Sequence, residues 1–313
     1  MSKTTKNTVL LFLNEFIRIS DSFKWTAISF LGFLLGITQL SINTYIVPFF
    51  IFAISTFCIT AFTFAINNFY DIESDTKNPR RKDINAIASG NISRKIAIFY
   101  LLLFALIPIL ISIFLFRYEI TIFCIYLLFL GWAYSAPPLR TKNIPGLDVI
   151  WHFIGFFSYI IWGSLIAGES IYSGSIESII WLMAISVGVF SCIGQVWNHI
   201  VDYSFDKDAG TMTFAVKIGA ENATKTLKFL IATHLILLIP LILLFTIKYW
   251  ITILILILGV FIGLIILKPK KAGFPSKKSF EFYFTVVVGG SVYLTCIIYH
   301  LLFLLGVDAL KIF

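Results

Sequence analysis

Two segments of the sequence repeat the pattern Asn-x3-Asp-x3-Asp. Its polar positions are Asn67, Asp71 and Asp75 in the first segment and Asn198, Asp202 and Asp206 in the second. Side chains four residues apart lie along one face of an α-helix, with a drift of about 40° per step. Each segment therefore predicts a row of amide and carboxylate oxygens, and two such rows facing each other would form an all-oxygen box.

The chemistry of this box follows from its ligand types. Carboxylates placed close together repel one another unless cations lie between them. Oxygen ligands without His or Cys favour hard cations such as Mg²⁺, which proteins bind through one or two carboxylates together with substrate phosphates. The two rows are therefore predicted to hold Mg²⁺ and a polyphosphate between them. The catalytic carboxylates would be Asp71, Asp75, Asp202 and Asp206.

Basic residues that could bind the phosphate groups follow both rows and occupy a third loop. They are Arg80, Arg81 and Lys82 after the first row, Lys207 after the second, and Arg140 and Lys142 in the segment 137–148. Arg binds phosphate oxygens in a bidentate manner, and Lys acts as a point charge. The histidines have no partner at i+4 and the cysteines form no CxxC pair, which argues against a His or Cys metal site.

The elements that position the two rows must be membrane helices. The chain of 313 residues is 59% hydrophobic and 13% charged, with a mean hydropathy of +0.94, whereas soluble domains are roughly 25% charged. Long segments without an ionised side chain recur, and a spanning helix needs about 20 apolar residues. We predict an all-α protein with nine transmembrane helices and a turn at 43–48. The spans are placed at about 25–42, 46–70, 96–116, 120–136, 149–168, 178–201, 226–247, 249–267 and 282–305.

The distribution of Lys and Arg predicts the orientation. Of the 24 Lys and Arg residues, all except Arg117, Lys248 and Lys311 fall on the side of the N-terminus and the motif loops. The positive-inside rule places that side in the cytoplasm, in a multi-pass protein of the cell membrane whose partners include lipids and not nucleic acid. Residues 1–22 resemble an interfacial amphipathic helix rather than a signal peptide. Residues 1–313 are predicted to form a single membrane-embedded domain.

The motifs make the sequence resemble the UbiA superfamily of intramembrane prenyltransferases. The resemblance is carried by NNFYDIESD at 67–75 and DYSFD at 202–206, with support from YSAPPLRTK at 134–142 and AGTMTFAVKIG at 209–219. The first motif begins with Asn67-Asn68, where many relatives have Asn-Asp. The segments NPRR and YSAPPLR are similar to members that prenylate carotenoids.

The resemblance implies a nine-helix bundle around a central cavity, with the aspartates on its cytoplasmic side. Asn67, Asp71, Asp75, Asp202 and Asp206 would ligate Mg²⁺ and thereby hold the diphosphate of a polyprenyl donor. Lys142, with Tyr134 nearby, would contact the diphosphate. Departure of the diphosphate leaves an allylic cation, and a lipophilic acceptor attacks it. That acceptor is an aromatic quinone precursor, a lipid alcohol or an isoprenoid.

Two other functions fit parts of the sequence. A terpene cyclase would ionise the same donor, but the cation would react within the donor itself, so the product would form without an acceptor. A cation or proton transporter would place acidic residues near the middle of the membrane, often in broken helices. Here the acidic residues of the motifs lie at the ends of predicted spans, which favours prenyl transfer.

Overall fold

The computed structural model describes residues 11–77, 82, 84–115, 117–174, 177–246, 250–266 and 276–306. Within these ranges the secondary structure is helical, without strands. Nine helices of 17 residues or more form the framework. They are α1 (Ile19–Leu35), α2 (Ile42–Tyr70), α3 (Arg94–Phe114), α4 (Tyr118–Ser135), α5 (Leu147–Ala167), α6 (Ser178–Val201), α7 (Ala220–Thr246), α8 (Trp250–Ile266) and α9 (Ser276–Leu304).

Seven of these helices, α2 to α7 and α9, are long and apolar enough to cross a membrane. Helices α1 and α8 are shorter, with 17 residues each. At 1.5 Å per residue they extend roughly 26 Å, slightly less than the hydrocarbon core of about 30 Å. The all-helical membrane architecture is therefore confirmed, while the count of nine spans and the cytoplasmic N-terminus stay predictions.

The turn between α1 and α2 lies earlier in the chain than predicted. It occupies residues 36–41, so its prediction at 43–48 is wrong, and Pro48 lies inside α2. The Ser41 side chain caps α2 by accepting a hydrogen bond from the Thr44 backbone amide at 3.4 Å, as Ser does at many helix N-termini. The prediction placed the turn too late because it started the first span at residue 25, after the charged residues. Helix α1 instead begins among these charged residues, at Ile19, and ends earlier.

Helix α5 packs against α1, α4 and α6. Its contact with α1 is close because glycines allow the two backbones to approach. A Cβ on Gly32 would collide with the carbonyl oxygen of Ile160, and one on Gly163 with that of Ser29. The Ser29 hydroxyl also donates a hydrogen bond to the carbonyl oxygen of Tyr159 at 2.6 Å. Small residues and hydrogen bonds of this kind hold transmembrane helices together.

A short π-helical turn at Phe12–Phe16, which we call the N-terminal turn, precedes α1. It is part of the core, since Phe16 and Ile17 are fully buried and the ring centroids of Phe12 and Tyr100 lie 4.5 Å apart. This segment belongs to the residues 1–22 for which an interfacial helix was predicted, and residues 1–10 lie outside the described part of the chain. The N-terminal turn thus lies against α3.

Candidate active site

Both rows lie where a long helix meets a short one. Asp71 separates α2 from a helix at Ile72–Lys77, and Asp202 separates α6 from a helix at Tyr203–Asp208. Backbone hydrogen bonds over four residues continue through both junctions. The amide of Asp71 donates to the Asn67 carbonyl at 3.1 Å, and the amide of Asp202 donates to the Asn198 carbonyl at 2.9 Å. The four-residue spacing therefore keeps each row on one helix face.

The ammonium group of Lys142 joins the first two positions of the first row. Its Nζ lies 2.8 Å from Oδ1 of Asn67 and 2.6 Å from each carboxylate oxygen of Asp71. A guanidinium nitrogen of Arg140 lies 2.9 Å from Oδ1 of Asp71. The loop between α4 and α5 therefore brings both of its predicted cations to the first row.

This contact also tests whether the first row fits a metal cation. The exposed fractions of the Lys142 and Asp71 side chains are 13% and 16%. Burial lowers the pKa of Lys142, and the neighbouring Asp71 carboxylate opposes that effect. One amide oxygen and two carboxylate oxygens converge on a single positive charge, and all three are ligand types that Mg²⁺ prefers. The first row therefore fits the predicted metal.

An open pocket of about 220 Å³ lies beside the first row. Its walls combine the three row residues with Asn85 from the following loop and with Arg18, which lies between the N-terminal turn and α1. Arg18 has a left-handed backbone with φ of 48°, and its guanidinium pairs with Asp21 at 2.7 Å. Sequence reasoning missed Arg18 and Asn85, because neither belongs to the repeated pattern.

A group of aromatic rings begins beside Arg18. Its first member, Phe64, lies on α2 about one helical turn before Asn67. The Arg18 guanidinium lies 4.9 Å from the ring centroid of Phe64. Phe64 contacts Trp25, with centroids 5.1 Å apart, and Trp25 contacts Phe156 at 4.8 Å and His152 at 6.4 Å. We call Trp25, Phe64, His152 and Phe156 the aromatic cluster. Because aromatic ring faces attract cations, this cluster can stabilise positive charge next to the pocket.

The second row is more open than the first. Asn198 and Asp202 are exposed, and neither side chain makes a hydrogen bond or ion pair with another described residue. The ammonium of Lys207, also exposed, lies 6.0 Å from the ring centroid of Tyr203. Within the described ranges, no three His, Cys, Asp or Glu side chains lie close enough together to hold a metal ion. The closure of the two rows into one box stays a prediction.

A buried polar group supports the end of α6 that carries the second row. One carboxylate oxygen of Asp148 lies 3.2 Å from Nε2 of His199 and 3.3 Å from Nε2 of Gln195. The other accepts a hydrogen bond from the Gly146 amide at 2.9 Å. Asp148 and His199 are both buried. These contacts tie the first turn of α5 to the last turns of α6, and no sequence motif predicted them.

Of the remaining predicted residues, the structure describes Lys82 and Tyr134. Lys82 is exposed, and Arg80 and Arg81 lie outside the described residues. Tyr134, on α4, has its ring centroid 5.7 Å from that of His152. Tyr134 therefore lies beside the aromatic cluster.

A family model described as the UbiA prenyltransferase family matches residues 26–287. The chain is 27% identical over 177 residues to a lycopene elongase/hydratase of Corynebacterium glutamicum, which is 56% of this chain and 60% of that protein. It is 29% identical over 158 residues to a C(50) beta-cyclic carotenoids biosynthesis protein of a Dietzia species, which is 50% of this chain and 35% of that protein. The chain thus matches less than two thirds of the length of these relatives.

The fold is also similar to that of a UbiA homolog from Archaeoglobus fulgidus bound to GPP and Mg²⁺. The TM-score is 0.66, with 21% sequence identity over 97% of this chain and 100% of that chain. At this level of identity the similarity shows a shared fold.

Proposed function

The chain belongs to the UbiA prenyltransferase family, and on this basis we propose that it transfers a polyprenyl group from an allylic prenyl diphosphate to a lipophilic acceptor, in a reaction that requires Mg²⁺. The observation that supports this function best is the convergence of Asn67 and Asp71 oxygens on the Lys142 ammonium beside the open pocket. A site that combines oxygen ligands with cations suits a diphosphate and its metal. The solved homolog with GPP and Mg²⁺ is consistent with this assignment.

The first step is ionisation of the donor. The bond between C1 of the prenyl chain and a diphosphate oxygen breaks, and the diphosphate keeps the electron pair. Mg²⁺, when bound, supplies positive charge that stabilises the departing diphosphate. The residues that would hold it are Asn67, Asp71, Asp75, Asn198, Asp202 and Asp206. Lys142 and Arg140 would contact diphosphate oxygens, and cations aimed at developing negative charge lower the barrier.

The prenyl chain would extend from the pocket into the aromatic cluster. Phe64 presents its ring to Arg18, which lines the pocket. Trp25 packs on Phe64, and Phe156 packs on Trp25. An allylic cation formed there would be stabilised by the ring faces. The same apolar walls would keep water away from the cation until the acceptor reacts.

The acceptor that we propose is an isoprenoid hydrocarbon. Two of the relatives are named for carotenoid chemistry, one of them as a lycopene elongase/hydratase. A double bond of such an acceptor would donate its electron pair to C1 of the allylic cation and form a carbon–carbon bond. The cation left on the acceptor would then lose a proton to give a double bond, or take up water and release a proton to give an alcohol.

The chain belongs to a membrane family and has seven apolar helices within its described residues, so it is a multi-pass membrane protein. We propose that both rows lie at the cytoplasmic face of the cell membrane, in accordance with the distribution of Lys and Arg. Diphosphate released there would enter water directly, while the donor chain and the acceptor stay in the bilayer.

The test is a reaction of the purified protein in lipid with Mg²⁺ and labelled dimethylallyl, geranyl and longer prenyl diphosphates. Lycopene, an aromatic quinone precursor and a lipid extract would be supplied separately as acceptors, and products identified by mass. We expect a prenylated lycopene that forms only when lycopene is present. A product formed without an acceptor would indicate a cyclase, and no diphosphate release from any donor would contradict the proposed function.

A further inference from the structure

We propose that Asn68 is a positioning residue whose side chain holds the N-terminal turn against α2, so that Arg18 faces the first row. The inference rests on the proposed function, because it concerns the same pocket. Asn68 follows Asn67 in the chain, but it is 5% exposed and is not part of the row. Its amide is directed at the N-terminal turn instead of the first-row carboxylates.

The contacts of Asn68 require an amide. Its Nδ2 donates hydrogen bonds to the carbonyl oxygens of Glu15 and Phe16 at 2.8 and 2.9 Å. A side-chain amide nitrogen carries two N–H donors, whereas an ionised carboxylate carries none. An Asp at position 68 would lose both bonds and place its negative charge against two carbonyl oxygens. The residue type at this position therefore fits the anchoring of the turn.

Asn85 connects this anchor to the first row. Its Nδ2 donates to the Asn68 carbonyl oxygen and to Oδ2 of Asp75, both at 2.8 Å. The Glu15 carbonyl oxygen also accepts a hydrogen bond from the Ala86 amide at 3.5 Å. The N-terminal turn, the end of α2 and the loop after the first row thus form one hydrogen-bonded unit that includes a predicted metal ligand.

The anchor lies immediately before a strained residue. Among the described residues that are not glycine, Arg18 and Arg140 have a positive φ, of 48° and 36°. Left-handed backbone is unfavourable for residues with a Cβ, and it persists where the surrounding structure holds it. Arg140 reaches Asp71, and Arg18 lines the pocket. Since Asn68 binds the carbonyls two and three residues before Arg18, it is placed to maintain this conformation.

A labelling experiment tests the anchor without any assay of transfer. In Ile17→Cys the new thiol replaces a side chain that is 1% exposed, and the four natural cysteines are buried. A polar maleimide should label Cys at this position at least tenfold faster in Asn68→Asp and Asn68→Ala backgrounds. The matched control is Asn222→Asp, at an exposed amide that bonds the Ile218 carbonyl at 2.9 Å, and it should leave the labelling rate unchanged.

The effect of the Asn68 anchor on the pocket can be measured as the affinity for inorganic diphosphate with Mg²⁺. Asn68→Ala and Arg18→Ala should each weaken binding on the order of tenfold. The double variant should be scarcely weaker than either single variant, because residues that act through one another are not additive. Arg18→Ala keeps both bonds of Asn68, so it should leave the labelling at position 17 unchanged.

Unchanged labelling in both Asn68 variants would overturn the proposal. Multiplied losses of binding in the double variant would also overturn it, because Asn68 would then act independently of Arg18. If Asn68→Ala does not give a monodisperse protein, the labelling rate in the isosteric Asn68→Asp decides whether the proposal holds. A protein that transfers no prenyl group but shows the expected labelling and binding pattern would refute the proposed function and retain the role of Asn68.

Discussion

The two rows have the same residue pattern and the same backbone geometry, but their surroundings differ. Asp71 is mostly buried and lies within 3 Å of Lys142 and Arg140. Asp202 is exposed and has no ion pair or hydrogen bond through its side chain in the described part of the chain. The charge of Asp71 is therefore balanced by protein groups, and that of Asp202 by solvent.

This difference follows from what surrounds each helix end. A partly buried carboxylate is costly unless it is paired, and three segments cover the end of α2: the N-terminal turn, the loop after the first row, and the loop between α4 and α5. The end of α6 has its support one turn deeper, at the buried Asp148 and His199. The first row is thus preorganised by its neighbours, whereas Asn198 and Asp202 of the second row are exposed.

Removal of Mg²⁺ should have the largest effect, because we propose that both rows bind one diphosphate through this cation. We expect excess chelator to abolish turnover and Mn²⁺ to restore part of it, as all-oxygen sites accept hard divalent cations. Zinc-selective chelators serve as the control and should have no effect. Full activity in excess general chelator would show that neither row works through a metal.

Substitution of one carboxylate in each row would show whether the difference in exposure matters for catalysis. Asp71→Ala and Asp202→Ala should each lower turnover a hundredfold or more, about 3 kcal/mol of transition-state stabilisation. Because groups that act as a unit are not additive, the double variant should be scarcely worse. Asp208→Ala, at an exposed residue beyond the second row, is the control. If the loss of turnover in the double variant equals the product of the two single losses, the rows are two independent sites.

The cations beside the two rows can be compared in the same way. Lys142→Ala should raise the KM for the donor about tenfold, the scale of one lost charge-assisted contact, and Lys142→Arg should recover part of that loss. Lys207→Ala should have a smaller effect, since Lys207 is exposed and lies over the Tyr203 ring. Steady-state kinetics with varied donor would measure both. Equal effects would mean that burial does not distinguish the two rows.

The smallest expected effect concerns the support beneath the second row. Asp148→Asn removes the charge from the contacts with His199 and Gln195, and should lower the free energy of unfolding by about 1–3 kcal/mol. Turnover should fall only a few-fold, because Asn198 and Asp202 themselves remain. Thermal unfolding in detergent would measure the change, with Asp208→Asn as a control. An unchanged midpoint would mean that Asp148 does not hold α5 to α6.

Much of the architecture could be predicted because hydropathy is a local property. Each predicted span overlaps one of the nine long helices, and the span at 178–201 coincides with α6. The family assignment and the enzyme class were confirmed by the match over residues 26–287. The turn after α1 was misplaced because the absence of charge indicates where lipid can lie, and helices can extend beyond that region into charged sequence.

The site could be predicted only where its residues follow a pattern. The rows share a spacing, and Lys142 lies in a segment that resembles the family. Arg18 and Asn85 belong to no sequence pattern, and Asn68 was interpreted as a variation within the first motif. His199 adjoins the second row in sequence, but its partner Asp148 is on another helix. Arg80 and Arg81 stay predictions, since they lie outside the described residues.

The sequence by itself determined the membrane class, the order of the helices and the spacing of the two rows of polar side chains. The membrane class and the helix order depend on composition along the chain. The rows depend on a spacing of four residues within one helix. Only the tertiary structure decided which charges meet. Lys142 and Asp71 are 71 positions apart in the chain, and Asn68 and Glu15 are 53 apart. Contacts over such separations depend on how helices and loops pack, because side-chain pairing acts over a few ångströms in space and leaves no periodic trace in the sequence.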